Sequence, residues 1–172
     1  MSKPKVLLTI LVILFIAIQF FGPDRTNPPV EREKTVQALT DIPESVSQIL
    51  QRSCYDCHSN ETRWPWYSYV APVSWLVVKD VQDGRSHLNF SDWAQYSERK
   101  VEKALDEICE EIQEGAMPLK QYLWLHPDAR LSAEEVQAIC DWTQAELSRM
   151  GAAPTDEKQE EEEEEGEHEH EP

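Results

Sequence analysis

The sequence predicts an all-α domain set between two non-globular ends, and three observations carry that prediction. Apolar residues recur at steps of three and four in several windows, period-two strand runs are absent, and cap residues stand where the periodic windows begin. With 172 residues the chain holds one domain plus appendages and has no room for a large enzyme. Its 16 Lys and Arg against 33 Asp and Glu leave a net charge of −17, which argues against nucleic acid as a partner.

Residues 6–21 are apolar except for Thr9 and Gln19, and as a helix they would extend about 24 Å at 1.5 Å per residue. That length falls between a signal-peptide core and a full membrane span, and Lys5 can lengthen it by snorkelling. A cleaved signal should be followed by a small-x-small site, yet bulky Phe20 and Phe21 occupy the place for one. Residues 1–22 are therefore expected to form a retained anchor, with a cleaved signal or a buried core helix as alternatives. Lys3 and Lys5 hold the leader in the cytoplasm by the positive-inside rule, so everything after Gly22 is exported. Residues 23–30, with Pro23, Pro28 and Pro29, read as a Pro-rich linker.

The domain proper covers residues 31–151. Pro43 opens a helix in which Ile42, Val46, Ile49 and Leu50 recur towards Cys54. Pro65 and Pro72 punctuate an aromatic stretch, followed by a short helix over residues 75–81 that Gly84 is expected to stop. Ser91 or Ser97 caps the next helix, whose stripe of Val101, Leu105, Ile108 and Ile112 ends at Gly115. Ser132 and Glu135 stand in capping-box register before a final helix with Val136, Ile139 and Leu147 on one face. Residues 152–172 form the second end. From Thr155 onward they hold eleven acids and one base, Lys158, and no apolar side chain to bury, so they are expected to be disordered. The tail reads as a solubilising arm, with binding of a basic partner or metal capture by His168 and His170 as alternatives.

The chemistry centres on Cys54-Tyr55-Asp56-Cys57-His58. C-x-x-C-H is the attachment string of c-type haem: two Cys three apart at the end of a helix reach the two vinyl groups on one macrocycle edge, and the adjacent His lies under the iron. His58 is then the proximal ligand, its other ring nitrogen fixed by a backbone carbonyl, for which Pro65 is the expected donor of the oxygen. A zinc site using Cys54, Cys57 and two of His58, His87 and His126 is chemically possible, but no second closely spaced ligand pair is present. A redox dithiol would sit in a strand-to-helix unit, and no βαβ pattern exists. Met117, in Gly115-Ala116-Met117-Pro118 between two helices, is the candidate distal ligand, because Pro118 pushes it towards extended geometry. A core gap-filling role for Met117, a distal His87 or His126, or an open iron site are the alternatives. The aromatic residues Trp64, Trp66, Tyr67, Tyr69, Trp75, Phe90, Trp93, Tyr122, Trp124 and Trp142 are read as packing around a large flat group. Tyr122 and Arg85 are lesser candidates for a hydrogen bond to a propionate.

Cys109 and Cys140 remain. Each lies four residues after an apolar stripe position, Leu105 and Val136, so the two can face one another. In an oxidising compartment they are expected to form a disulfide worth roughly 3 to 4 kcal/mol in the chain-entropy model, with two buried thiols as the alternative.

The string CYDCHSNETRWPWYSYVAPVSWLVVKDVQDGRSHLNFSDW, followed by EGAMPLKQYLWLHPDARLS, resembles the small bacterial haem-binding domain family, itself similar to a variant of the class I cytochrome c fold. The likeness runs roughly from Val30 to Met150 and leaves out the acidic tail. It implies one covalently bound haem c, with His58 and Met117 at the matching ligand positions. The expected protein is a single-pass protein of the bacterial inner membrane whose haem domain lies in the periplasm. It would pass single electrons between redox partner proteins there, and would not be an enzyme. A haem sensor or a small peroxidase-like or gas-binding protein with a labile sixth ligand is the alternative, and an assembly module that carries haem is a third.

Overall fold

A computed structural model of the chain describes residues 3–151; the acidic tail lies outside the described residues. Among the described residues every regular element is helical. Helix α1 (Lys3–Ile18) runs into a short 3-10 turn (Gln19–Phe21), and none of its side chains is buried against the rest of the chain. The domain then contains α2 (Val36–Leu39), α3 (Glu44–Ser53), α4 (Tyr55–His58), α5 (Val73–His87), α6 (Glu98–Gln113), α7 (Lys120–Leu123) and α8 (Ala133–Met150).

The scaffold is the pair α6 and α8, with α3 packed on α8. Leu105, Ile108 and Ile112 from α6 meet Ile139, Trp142 and Leu147 from α8 in one core that also takes Val46, Ile49 and Leu50 from α3. Both long helices carry the caps their sequences call for. Ser97, rather than Ser91, caps α6 through its side chain on the Lys100 N–H, and Ser132 and Glu135 close a full capping box on α8. At the other end of α6, Gly115 turns into the left-handed region (φ 69°), and the N–H groups of Gly115 and Ala116 return to the carbonyls of Ile112 and Glu111. That is a Schellman closure, and it reverses the chain into the loop that carries Met117. Cys109 and Cys140 are joined by a disulfide across the two helices, with Cα atoms 4.9 Å apart.

The helix expected over residues 75–81 is longer than its sequence suggests. Helix α5 passes straight through Gly84 and ends at His87. Gly84 does not terminate it, because that glycine meets a neighbouring element instead: a Cβ built there would lie 2.8 Å from the Cys57 carbonyl oxygen and 3.2 Å from Cys57 Cβ. The residue is small so that α5 can press against α4. Residues 23–30 lie against the domain: the Asn27 side-chain amide donates to the Thr62 carbonyl, Arg85 donates to Asn27 Oδ1, and Arg25 donates to the Ser68 carbonyl.

Candidate functional site

Helix α4 is one turn of four residues, too short to be stable alone. It is held from three sides. The Cys54 and His58 N–H groups continue the hydrogen-bond ladder at the end of α3, donating to the Leu50 and Cys54 carbonyls. The segment after α5 clamps its far end: Phe90 N–H donates to the His58 carbonyl, and buried Phe90 stacks on Tyr55 with ring centres 5.3 Å apart. Gly84 of α5 supplies the third contact.

The clamp also orients His58. Its Nδ1 lies 3.1 Å from both the Gly84 and the Leu88 carbonyl oxygens. Carbonyls only accept, so Nδ1 carries the proton and Nε2 keeps its lone pair. No protein group among the described residues hydrogen-bonds Nε2, which makes it a ready iron ligand. Pro65 is not the acceptor that the sequence suggested. Its carbonyl takes the Ser68 hydroxyl and N–H, while the His58 acceptors come from 26 and 30 residues away at the end of α5. Burial lowers the His58 imidazole from the usual histidine range, against the two carbonyls that pull it up.

Cys54 and Cys57 are free thiols. Burial, followed by the neighbouring negative groups, pushes both up to about 12. That is the opposite of the lowered value that activates a redox dithiol. Two unpaired thiols three residues apart beside an imidazole of fixed tautomer are the donor set that c-type haem requires, so the residues present fit that group. Among the described residues no three His, Cys, Asp or Glu side chains converge as a metal cluster, as the zinc alternative would need.

Asp56, inside the motif, has a role the sequence did not reveal. Its carboxylate accepts from the Arg63 N–H and from two Arg63 guanidinium nitrogens at 3.0 to 3.1 Å, and from the Tyr122 hydroxyl at 2.9 Å. Tyr122 stacks on His126 at 4.3 Å, and His126 Nε2 is 2.6 Å from the Tyr67 hydroxyl. One carboxylate therefore fastens α4 to the segment that follows Met117. Met117 itself is half-buried at the margin of the core, where Cys54 also packs.

The remaining candidates are accounted for by other contacts. His126 is engaged by Tyr67 and Tyr122, and His87 is exposed at the end of α5. Arg85 donates to the Ser59 carbonyl, Asn27 Oδ1 and Thr62 Oγ1, so it binds the linker and the loop after α4. Packing explains Phe90, Trp93 and Trp142, all buried, but not Trp66 or Trp124, which are largely exposed.

The family model of the haem-binding domain matches residues 13–145, well over half of the chain and the whole of the site. No curated protein and no solved structure gives a significant match. With α4, its clamp and the family match in hand, the chain belongs to the haem-binding domain family, and haem binding is the coarse function that this membership supports.

Proposed function

We propose that this protein is a membrane-tethered, monohaem c-type cytochrome that carries single electrons on the periplasmic side of the bacterial inner membrane. The observation that carries the reading is α4 itself: two free thiols and a histidine with a protonated Nδ1, held by a clamp in a chain of the haem-binding family. Cys54 and Cys57 would hold the haem through thioethers, and His58 Nε2 would ligate its iron. When bound, the haem supplies a one-electron couple whose potential is set by axial ligands and burial. The chain's own part is to fix the His58 ring through Gly84 and Leu88, and to hold the Met117 loop to α4 through Asp56 and Tyr122. Met117 is the proposed distal ligand, supported by its half-buried place at the core margin and by the Tyr122–Asp56 hydrogen bond that ties the segment after it to α4.

The tether is α1. Residues Lys3–Phe21 are apolar enough to cross a membrane, with mean hydropathy 2.3 and no burial in the protein. The same helix would serve as a signal sequence, so the tethered reading predicts that the mature protein keeps it.

The test of carrier against catalyst is the sixth position. Wild type should show the weak near-infrared band of a thioether-bound ferric haem and should not bind carbon monoxide rapidly. Met117→Ala should keep its haem, lose that band and bind carbon monoxide or imidazole. A wild-type protein that binds carbon monoxide at once, or a spectrum that ignores Met117→Ala and responds to His126→Ala, overturns the carrier reading and favours a sensor or catalytic haem.

A further inference from the structure

Between Trp64 and Val78 the chain has no charged residue. The structure places part of this stretch in the open. In the 3-10 turn Trp66–Tyr69, residues three apart eclipse, so Trp66 (76 % exposed) and Tyr69 (57 %) share the outer face while Ser68 is buried opposite. Trp75, in the first turn of α5, is 41 % exposed, and Pro72 beside it is exposed as well. On α5 the face that meets α4 at Gly84 continues through Asp80, Val77 and Val73 at steps of three and four, and Trp75 stands on the opposite side of the helix.

Tyr69 and Trp75 adjoin the segment that follows α1. The Gln19 side chain donates to the Ala71 carbonyl and accepts from the Ala71 N–H, at 3.1 and 2.9 Å. The Trp75 indole N–H donates to the Phe21 carbonyl at 2.9 Å. Arg25 sits over the Tyr69 ring, 4.4 Å from its centre, and donates to the Ser68 carbonyl. Phe20 and Phe21, both exposed, continue the apolar surface along the 3-10 turn that follows α1. Charge returns at the borders, with Asp24 and Arg25 on one side and Lys79 of α5, paired with Asp83, on the other.

We propose that this patch, Trp66, Tyr69, Pro72 and Trp75 with Phe20 and Phe21, is a second membrane contact, seated in the lipid interface so that the domain lies at a fixed orientation on the bilayer. The proposal rests on the reading of α1 as a retained anchor. Its occupant is lipid because the patch is continuous with the end of the helix read as spanning the membrane. Its composition is that of a membrane interface, where Trp and Tyr sit at headgroup level and flanking Arg and Lys reach out to the phosphates. A contiguous exposed apolar patch on a domain otherwise rich in charge calls for such a partner. The consequence is functional: a domain fixed by two contacts presents one face to partners in the membrane, whereas a domain on a free linker presents all of them.

The test uses the full chain in phosphatidylcholine and phosphatidylethanolamine vesicles that carry a diazirine on a short acyl chain, with lipid adducts mapped by mass spectrometry. Adducts on residues 64–76 several-fold above those on the exposed face of α6, together with adducts on α1, are the expected result. Trp66→Glu with Trp75→Glu should then bring residues 64–76 down to the α6 level and leave α1 labelled. Labelling of α1 with residues 64–76 at the α6 level overturns the second contact and leaves the anchor standing. Absence of labelling on α1 overturns the anchor and this proposal with it. Crosslinks from residues 64–76 to a second copy of the chain in place of lipid overturn the lipid assignment.

Discussion

The α6–α8 pair and the α4–α5 junction belong to one domain but are stabilised by different physics. The pair is two long amphipathic helices, each capped at its start, joined through apolar stripes and a disulfide. The junction has a helix of four residues, and what holds it is largely polar: carbonyls on His58 Nδ1, Asp56 under Arg63 and Tyr122, and backbone drawn close by a missing Cβ at Gly84. The first region is held by its own apolar stripes and crosslink, with α3 completing its core. The second is built to be positioned, and the haem that it is proposed to hold would add apolar contact to the single Tyr55–Phe90 stack there. Substitutions in the pair should therefore change stability and leave the haem spectrum alone, while substitutions in the junction should change the haem spectrum as well as stability.

Removal of the disulfide gives the largest expected loss of stability. Cys109→Ser with Cys140→Ser opens a crosslink between positions 31 apart and should cost about 3 kcal/mol in denaturant unfolding, with an unchanged visible spectrum. A changed spectrum would mean that the two regions are coupled. Gly84→Ala comes next. The added Cβ meets backbone, not a flexible side chain, so relief requires α5 to move from α4, at a cost of about 1 to 3 kcal/mol. It should also disturb the iron spectrum, because the Gly84 carbonyl moves with it. Normal spectra and normal stability would show that the close approach at Gly84 is dispensable.

Tyr122→Phe removes one donor from Asp56 while the Arg63 donors stay, so the stability loss should be only about 1 kcal/mol. Its signature lies in the distal band, which should weaken as the Met117 loop loosens, with haem attachment intact. The smallest effect is Glu135→Gln. Arg52 first, and then the Ser132 N–H, hold the Glu135 carboxyl below the usual glutamate range. A depressed carboxylate contributes stability that is present above its unfolded value, about 4.3, and lost as pH falls through the folded one. Both partners are partly exposed, so the contribution is at most about 1 kcal/mol. The variant should flatten the fall in stability between about pH 5 and pH 3.

What the sequence made legible follows the same division. Helices α3, α6 and α8 were readable because periodicity and caps are local signals, and the facing of Cys109 and Cys140 was readable because both sit on apolar stripes. The junction was not. Gly84 looks like a helix stop in one dimension and is a contact with a residue 27 positions earlier in three. The acceptors for His58 are backbone carbonyls, which carry no side-chain signature, so proximity in sequence points to Pro65 in place of Gly84 and Leu88. Asp56 carries no sequence signal of its role within C-x-x-C-H because its partners, Arg63 and Tyr122, come from a loop and a distant helix. Composition marked Trp66 and Trp75 as aromatic, but only the fold separates a ring that packs from one that faces outward.

The central claim, that Cys54 and Cys57 hold one haem covalently with His58 beside them, is tested most directly by peptide mass spectrometry on protein made with a haem-attachment system. Trypsin cuts after Arg52 and Arg63, and the peptide between them contains all three residues. The account predicts that this peptide carries the mass of one haem, that both thiols resist alkylation, and that the pyridine haemochrome is of the two-thioether type. Haem that leaves on acid-acetone extraction, with Cys54 and Cys57 both alkylated, would contradict it.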